Sequence, residues 1–175
     1  MIAETLIAFS ELMDDCLKRV FGLNEGIVVL QPVMGGNDSH LPDNKVHVFL
    51  GNAVRETAGG ITGNRQPFSG NEQLSTSPGW MLNLHVMVAA CFNAKQYDMA
   101  LRSIAAVAGF LQANSYFLLP KTGRKIQVEP VSLASNELSN LWSIYGNQYY
   151  PSLCCLMRNI LIDSDEIGRI DTIIR

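Results

Sequence analysis

Residues 78–92 read Pro78-Gly-Trp-Met-Leu-Asn-Leu-His-Val-Met-Val-Ala-Ala-Cys-Phe92, and the rest of the chain is arranged around them. Leu82, Leu84, Val86 and Val88 alternate with Asn83, His85 and Met87. A period of two marks a strand with one face buried and the other less so. After residue 96 the period changes. Tyr97, Leu101, Ile104, Ala108 and Leu111 recur at steps of four and three, the apolar stripe of an amphipathic helix that ends near Asn114. Asn93, with Gln96 three residues later, is an acceptable capping pair at the switch. A strand that runs into a helix folding back over it is a core-building unit. Its outward residues Asn83, His85 and Met87 make a candidate contact face.

Upstream, Ile2, Leu6, Phe9, Met13, Cys16 or Leu17, and Val20 keep a four-three rhythm, predicting a helix through about Phe21. Lys18 and Arg19 fall in its last turn, as a helix dipole prefers, and Gly22 can end it. The β-branched run 27–30 predicts a short strand closed by Pro32, and residues 45–50 predict another with Val46, Val48 and Leu50 sharing a face. Residues 35–44 read as a loop. Residues 51–77 are rich in Gly and Asn and carry little periodicity, so they are either an arm or loop, or a hairpin with polar strands.

Downstream, residues 116–131 predict a hairpin turned at residues 121–124. Ser135 is a candidate cap for a short helix whose stripe is Leu138, Leu141, Trp142 and Tyr145, with Gly146 as stop. Residues 152–162 form an apolar run of strand length interrupted by Arg158 and Asn159. Residues 164–175 are a polar break followed by a β-prone tail, a candidate strand for binding another subunit or partner. The tally predicts one α+β domain over residues 1–163, with three helices on one side of a mostly antiparallel sheet of five or six strands.

Composition bounds the function. The 175 residues are 47% apolar and only 17% charged, below the roughly 25% charged residues of typical soluble proteins. Such a surface suits a chain that packs against partners. A net charge of −3 gives no electrostatic reason to expect nucleic acid binding. Cys16, Cys91, Cys154 and Cys155 form no C-x-x-C and read as buried thiols of a reduced compartment. The first residues lack the basic region of a signal peptide, and no apolar run reaches the roughly 18–20 residues of a membrane span. Cytoplasmic synthesis and no membrane insertion are the expectations.

Chemistry finds no carrier. His40, His47 and His85 match no zinc spacing, although His47 and His85 are candidates to face each other across neighbouring strands. The glycine pairs at 35–36 and 59–60 match neither a P-loop nor a dinucleotide fingerprint. Glu72, Glu129 and Glu137 are not paired for acid–base work, and no G-x-S-x-G elbow occurs. No catalytic residue, cofactor site or metal site is therefore assigned. Lys121, Arg124 and Lys125 make a small basic turn. Trp142, Tyr145, Tyr149 and Tyr150 gather aromatics suited to core packing or to an interface.

Two stretches together resemble the cap, or tail-terminator, family of extracellular contractile injection systems of the antifeeding-prophage and virulence-cassette type. The first is the strand and helix of residues 78–114. The second is Asn136-Glu-Leu-Ser-Asn-Leu-Trp-Ser-Ile-Tyr-Gly146 followed by Tyr150-Pro-Ser-Leu-Cys-Cys-Leu-Met-Arg158. Pro78, Asn83, Leu84, Gln112, Leu138, Leu141, Trp142, Gly146, Pro151, Ser152 and Leu153 sit at the matching places. The resemblance is more specific after Pro78 than before it. Cys154-Cys155 and the Gly/Asn-rich stretch depart from the family pattern.

The resemblance implies a structural protein that forms a ring, typically a hexamer, on the end of the inner tube and sheath and stops their polymerisation. It implies no turnover and a place in a particle assembled in the cytoplasm. Asn83, His85, Met87, Tyr149, Tyr150, Arg158, Ile167, Arg169 and Ile170 are the candidate interface residues. A sheath-initiating or tube-joining component of the same particle is the alternative. A third reading, a small-molecule-binding or enzymatic domain using the loops at 35–40 and 59–64, requires a concave pocket and perturbed titratable groups.

Overall fold

The computed structural model of the chain describes residues 1–33, 44–56, 79–145 and 148–162. Helix α1 spans Ile2–Phe21 and is closed by Gly22, whose φ of 65° is the left-handed conformation a C-terminal cap requires. A short strand β1, Val28–Leu30, leads to β2, Lys45–Arg55, and the long strand β3 spans Trp80–Cys91. Asn93 accepts from the backbone N–H groups of Lys95 and Gln96. It thereby caps a 3-10 turn, Ala94–Gln96, that opens into α2, Tyr97–Ala113. A hairpin of β4, Tyr116–Leu118, and β5, Lys125–Val131, is followed by α3, Ser135–Ile144, and by β6, Ser152–Ile162.

The strands form one sheet in the order β1-β2-β3-β6-β5-β4. Only β1, beside β2, is parallel to its neighbour. The α+β class, the six strands and the three helices are as the sequence predicts. The placement of α3 differs. Helices α1 and α2 cover one face, where Phe9, Met13, Leu17, Val107 and Phe110 pack on Val46, Val48, Leu84, Val86, Val88 and Met157. Helix α3 lies against the opposite face, where Trp142 packs with Phe49, Met87, Ala89, Cys91 and Cys154. The reason is visible in β3: from Val86 to Cys91 both faces of the strand are buried, so a second layer is needed to cover the alternate residues.

Three further expectations shift. The buried stripe of α2 is Ala100, Ser103, Val107, Phe110 and Leu111, while Tyr97 and Leu101 are 54% and 48% exposed. The helix is turned by one residue from the predicted phase, because small side chains rather than the bulkiest ones face inward. Ser135 is the first residue of α3; the capping position is Ala134, whose N–H donates to Glu137 at 2.9 Å. Strand β2 runs five residues past Leu50, because Gly51 is a bulge that reverses the alternation. A Cβ at Gly51 would stand 3.3 Å from the backbone oxygen of His85.

The edge strand β1 is held to α1 by one side chain. Asp14 Oδ1 accepts from the N–H groups of both Ile27 and Val28 at 2.8 Å, and Lys18 Nζ lies 2.6 Å from Asp14 Oδ2. Burial pushes the Asp14 carboxyl up, but the Lys18 ammonium and the two backbone donors outweigh it and hold the group below the ordinary aspartate value. A depressed folded-state pKa contributes stability that is complete above the unfolded value of about 4 and is lost as pH falls through the folded value. Asp14→Ala leaves two backbone donors without an acceptor and is expected to cost about 2 kcal/mol in urea unfolding at pH 7. Asp14→Asn is expected to flatten the loss of stability below pH about 4 that the unmodified chain shows.

Candidate contact surface

Helix α3 and the segment after it cover only half of the second sheet face. Beyond Met87 no described element lies over it, and the face continues as His85, Asn83 and Met81 of β3, which stand beside Asn52 and Val54 of β2 and Glu56 just after it. On the other side it continues through Leu156 and Arg158 of β6, then Glu129 and Gln127 of β5, to Tyr116 of β4. Asn83, His85, Leu156 and Arg158 are half-buried, whereas Val54, Met81, Tyr116 and Leu118 are large apolar residues with more than a third of their surface exposed.

A polar network ties three strands and the residue that follows β2 together across this open half. Arg158 donates to Glu129 Oε1 through Nη2 at 2.7 Å and Nε at 3.1 Å, and its Nη1 lies 3.7 Å from Glu56 Oε2. The same Glu56 oxygen accepts from Asn83 Nδ2 at 2.6 Å. Arg158 is aimed by a second bulge: Asn83 stands opposite both Arg158 and Asn159, and Asn159 takes a φ of 71°. Two bulges at neighbouring levels of the sheet therefore set this surface, one in each strand that flanks β3. On the opposite face of the same sheet end, the Arg55 guanidinium lies 4.7 Å from the exposed Trp80 ring.

The structure brings together three of the residues expected from sequence, Asn83, His85 and Arg158. It removes two. Met87 is fully buried under α3, and Tyr150 is buried beside Trp142, because the second face carries its own core. Tyr149 is exposed and packs edge-on against Trp142 at 5.9 Å, with α3 rather than on the open half. Ile167, Arg169 and Ile170 lie outside the described residues, as do both glycine pairs, Gly146, His40 and Glu72. Sequence reasoning missed Val54, Glu56, Met81 and Glu129. The Gly51 bulge hides the first two, since it breaks the alternation that would have placed them beside Asn83.

His47 pairs in register with Ala89 and not with His85; its Nδ1 lies 3.3 Å from the backbone oxygen of Gln31. Among the described residues no group of three His, Cys, Asp or Glu is placed to hold a metal ion. Burial pushes the thiols of Cys154 and Cys155 up, away from the thiolate a nucleophile needs. In the basic turn, Lys121 is bound to Glu4 at 2.7 Å and the Lys125 ammonium sits 3.9 Å over the Tyr116 ring. No described helix is long and apolar enough to cross a membrane.

This α+β fold, three helices and a six-stranded mixed sheet, is similar to those of two solved terminators. One similar solved structure is the sheath/tube terminator of PVC, an extracellular contractile injection system, in its extended state. It has a TM-score of 0.51 and 14% identity, over 90% of this chain and 56% of that one. Another is the tube-terminating cap of the anti-feeding prophage, with a TM-score of 0.55 and 17% identity, over 90% of this chain and 55% of that one. The chain thus spans just over half the length of each. No curated protein matches the sequence. Residues 8–175 match the Pvc16 N-terminal domain, and the chain belongs to that family.

The polar network is a surface feature, with side-chain exposures of 37% for Arg158, 39% for Glu129 and 28% for Glu56. Arg158→Ala is expected to change unfolding free energy by less than about 1 kcal/mol. Met87→Lys, which buries a charge under α3, is expected to cost more than about 3 kcal/mol. Urea titration of the two variants checks the division between surface and core.

Proposed function

We propose that this chain is a structural cap of a phage-tail-like contractile injection particle, one subunit of a ring that ends the inner tube and the sheath. The observation that carries the reading is the shared fold with two terminators of separate injection particles, over nine-tenths of the chain. The family membership points the same way. The physical demand on a terminator is asymmetric: it must match the exposed end of a growing polymer while presenting no copy of that end to the next subunit. The open half of the second sheet face supplies a matching surface of the right kind. It offers apolar side chains at Val54, Met81 and Leu118 around a fixed polar grid of Glu56, Asn83, Arg158 and Glu129.

In this reading the chain has no catalytic role and binds no cofactor. It assembles with tube and sheath in the cytoplasm, as a homohexamer, before the particle is complete. His85 and Arg158 contact the neighbouring protein, and Met87 and Tyr150 hold α3 in place beside that surface. The test is polymer length. Tube and sheath proteins assembled with the chain are expected to give short particles of narrow length distribution, and without it long ones of broad distribution. Arg158→Glu is expected to retain the fold and to lose length control. Identical length distributions with and without the chain would remove the proposal.

A further inference from the structure

The sheet has two outer edges, and they are finished differently. On the β4 side, the Val128 N–H of β5 donates to Ser115 O at 2.8 Å. The next outward position along β5 is Pro130, which has no N–H to offer. On the β1 side, β1 covers β2 only from Val46 to Val48, and one further bond runs from Gln31 N–H to Val48 O at 3.1 Å. The Tyr145 hydroxyl then donates to Leu50 O at 3.3 Å. Beyond it residues 51–55 are all exposed.

Because Glu56 N–H bonds Met81 O, the ladder alternation turns the backbone groups of Ala53 and Arg55 away from β3. The Ala53 N–H is met only by the side chain of its neighbour Asn52, at 2.9 Å. No other described residue bonds this stretch from outside. A natural edge is usually shortened, charged, bulged inward or covered; among the described residues nothing covers this one, at the same sheet end as the open contact face.

We propose that this edge of β2, residues 51–55, receives residues 167–175 of a second copy of the chain as an added strand. The proposal rests on the ring reading above and names the contact that joins the ring's subunits. The segment reads Ile167-Gly-Arg-Ile-Asp-Thr-Ile-Ile-Arg175, rich in the β-branched residues that favour strands. It leaves the sheet at the correct end: Arg55 pairs with Leu82, Leu82 with Ile160, and Ile162 is the last residue of β6. From β6, past β3 and β2, to the outer side of β2 is three strand spacings, roughly 14 Å in a straight line.

The link from Ile162 to Ile167, through Asp163-Ser-Asp-Glu166, reaches about 17 Å at most when fully extended. That leaves too little length to pass around two strands and turn at each end. A second copy has no such limit. Each copy then gives one strand and receives one through different surfaces, the head-to-tail geometry that closes a ring, and backbone hydrogen bonds join them as in β-augmentation.

The experiment follows amide exchange of Ala53 and Arg55 against protein concentration, alongside mass by analytical ultracentrifugation. In the full chain, exchange at both amides is expected to slow at least about tenfold as the oligomer forms. A chain ending at Ile162 is expected to stay monomeric and unprotected. Adding a synthetic peptide of residues 163–175 restores protection, whereas the same peptide N-methylated at alternate residues does not. Protection in the dilute monomer would overturn the proposal in favour of closure by the chain's own segment. An oligomer of either chain with both amides unprotected would overturn it in favour of another interface. The two readings fail separately: a chain ending at Ile162 that still sets particle length leaves the cap standing and removes this contact.

Discussion

The structure depends on β3 being hydrogen-bonded along both edges, to β2 from Leu82 to Cys91 and to β6 from Trp80 to Ala89. A strand so held has no freedom of register, since a one-residue slip would turn Leu84, Val86 and Val88 out of the α1–α2 core and Met87 and Ala89 out of the α3 core. Three strands of eleven or twelve residues locked in this way form a plank longer than the helices that cover it. One half is buried on both faces. The other half is buried on its first face only, and its second face is where Asn83, His85 and Arg158 lie.

The division of labour follows from burial. The covered half carries the stability, through side chains such as Phe9, Met13, Val86, Val88 and Trp142 that are almost wholly withdrawn from water. The uncovered second face of the other half adds little to it, because its ion pairs are partly solvated and worth little in free energy. What those pairs supply is position. The bulge at Asn159 aims Arg158, which both Glu129 and Glu56 then hold in place, so a partner meets a surface already ordered. Ordering before contact lowers the entropy cost of any association through this surface.

Much of this is legible in the sequence where a period runs unbroken. The strand of residues 80–91, the helix after it, the cap at Asn93 and the last strand are found where their patterns place them. Legibility fails where a single residue resets the pattern. Gly51 reverses the alternation, so Val54 and Glu56 fall in a stretch that reads as an arm, a loop or a polar hairpin, although they share a face with Asn83. Met87 reads as outward because alternation says which residues share a face, not whether a second layer covers it. The α2 phase is hidden because Ala100 and Ser103 carry little apolar weight yet sit innermost. The Glu56–Arg158–Glu129 network joins three strands far apart in the chain through tertiary register, which no local pattern encodes.

The central proposal is that the uncovered half of the second sheet face is the surface presented to the tube and sheath. Reconstruction by electron microscopy of a particle end carrying this chain tests it most directly. The account predicts that Val54, Met81, His85 and Arg158 lie against the neighbouring protein, while the outer surfaces of α1 and α2 face away from it. A reconstruction in which α1 and α2 make the contact and this sheet face is left to solvent would contradict it.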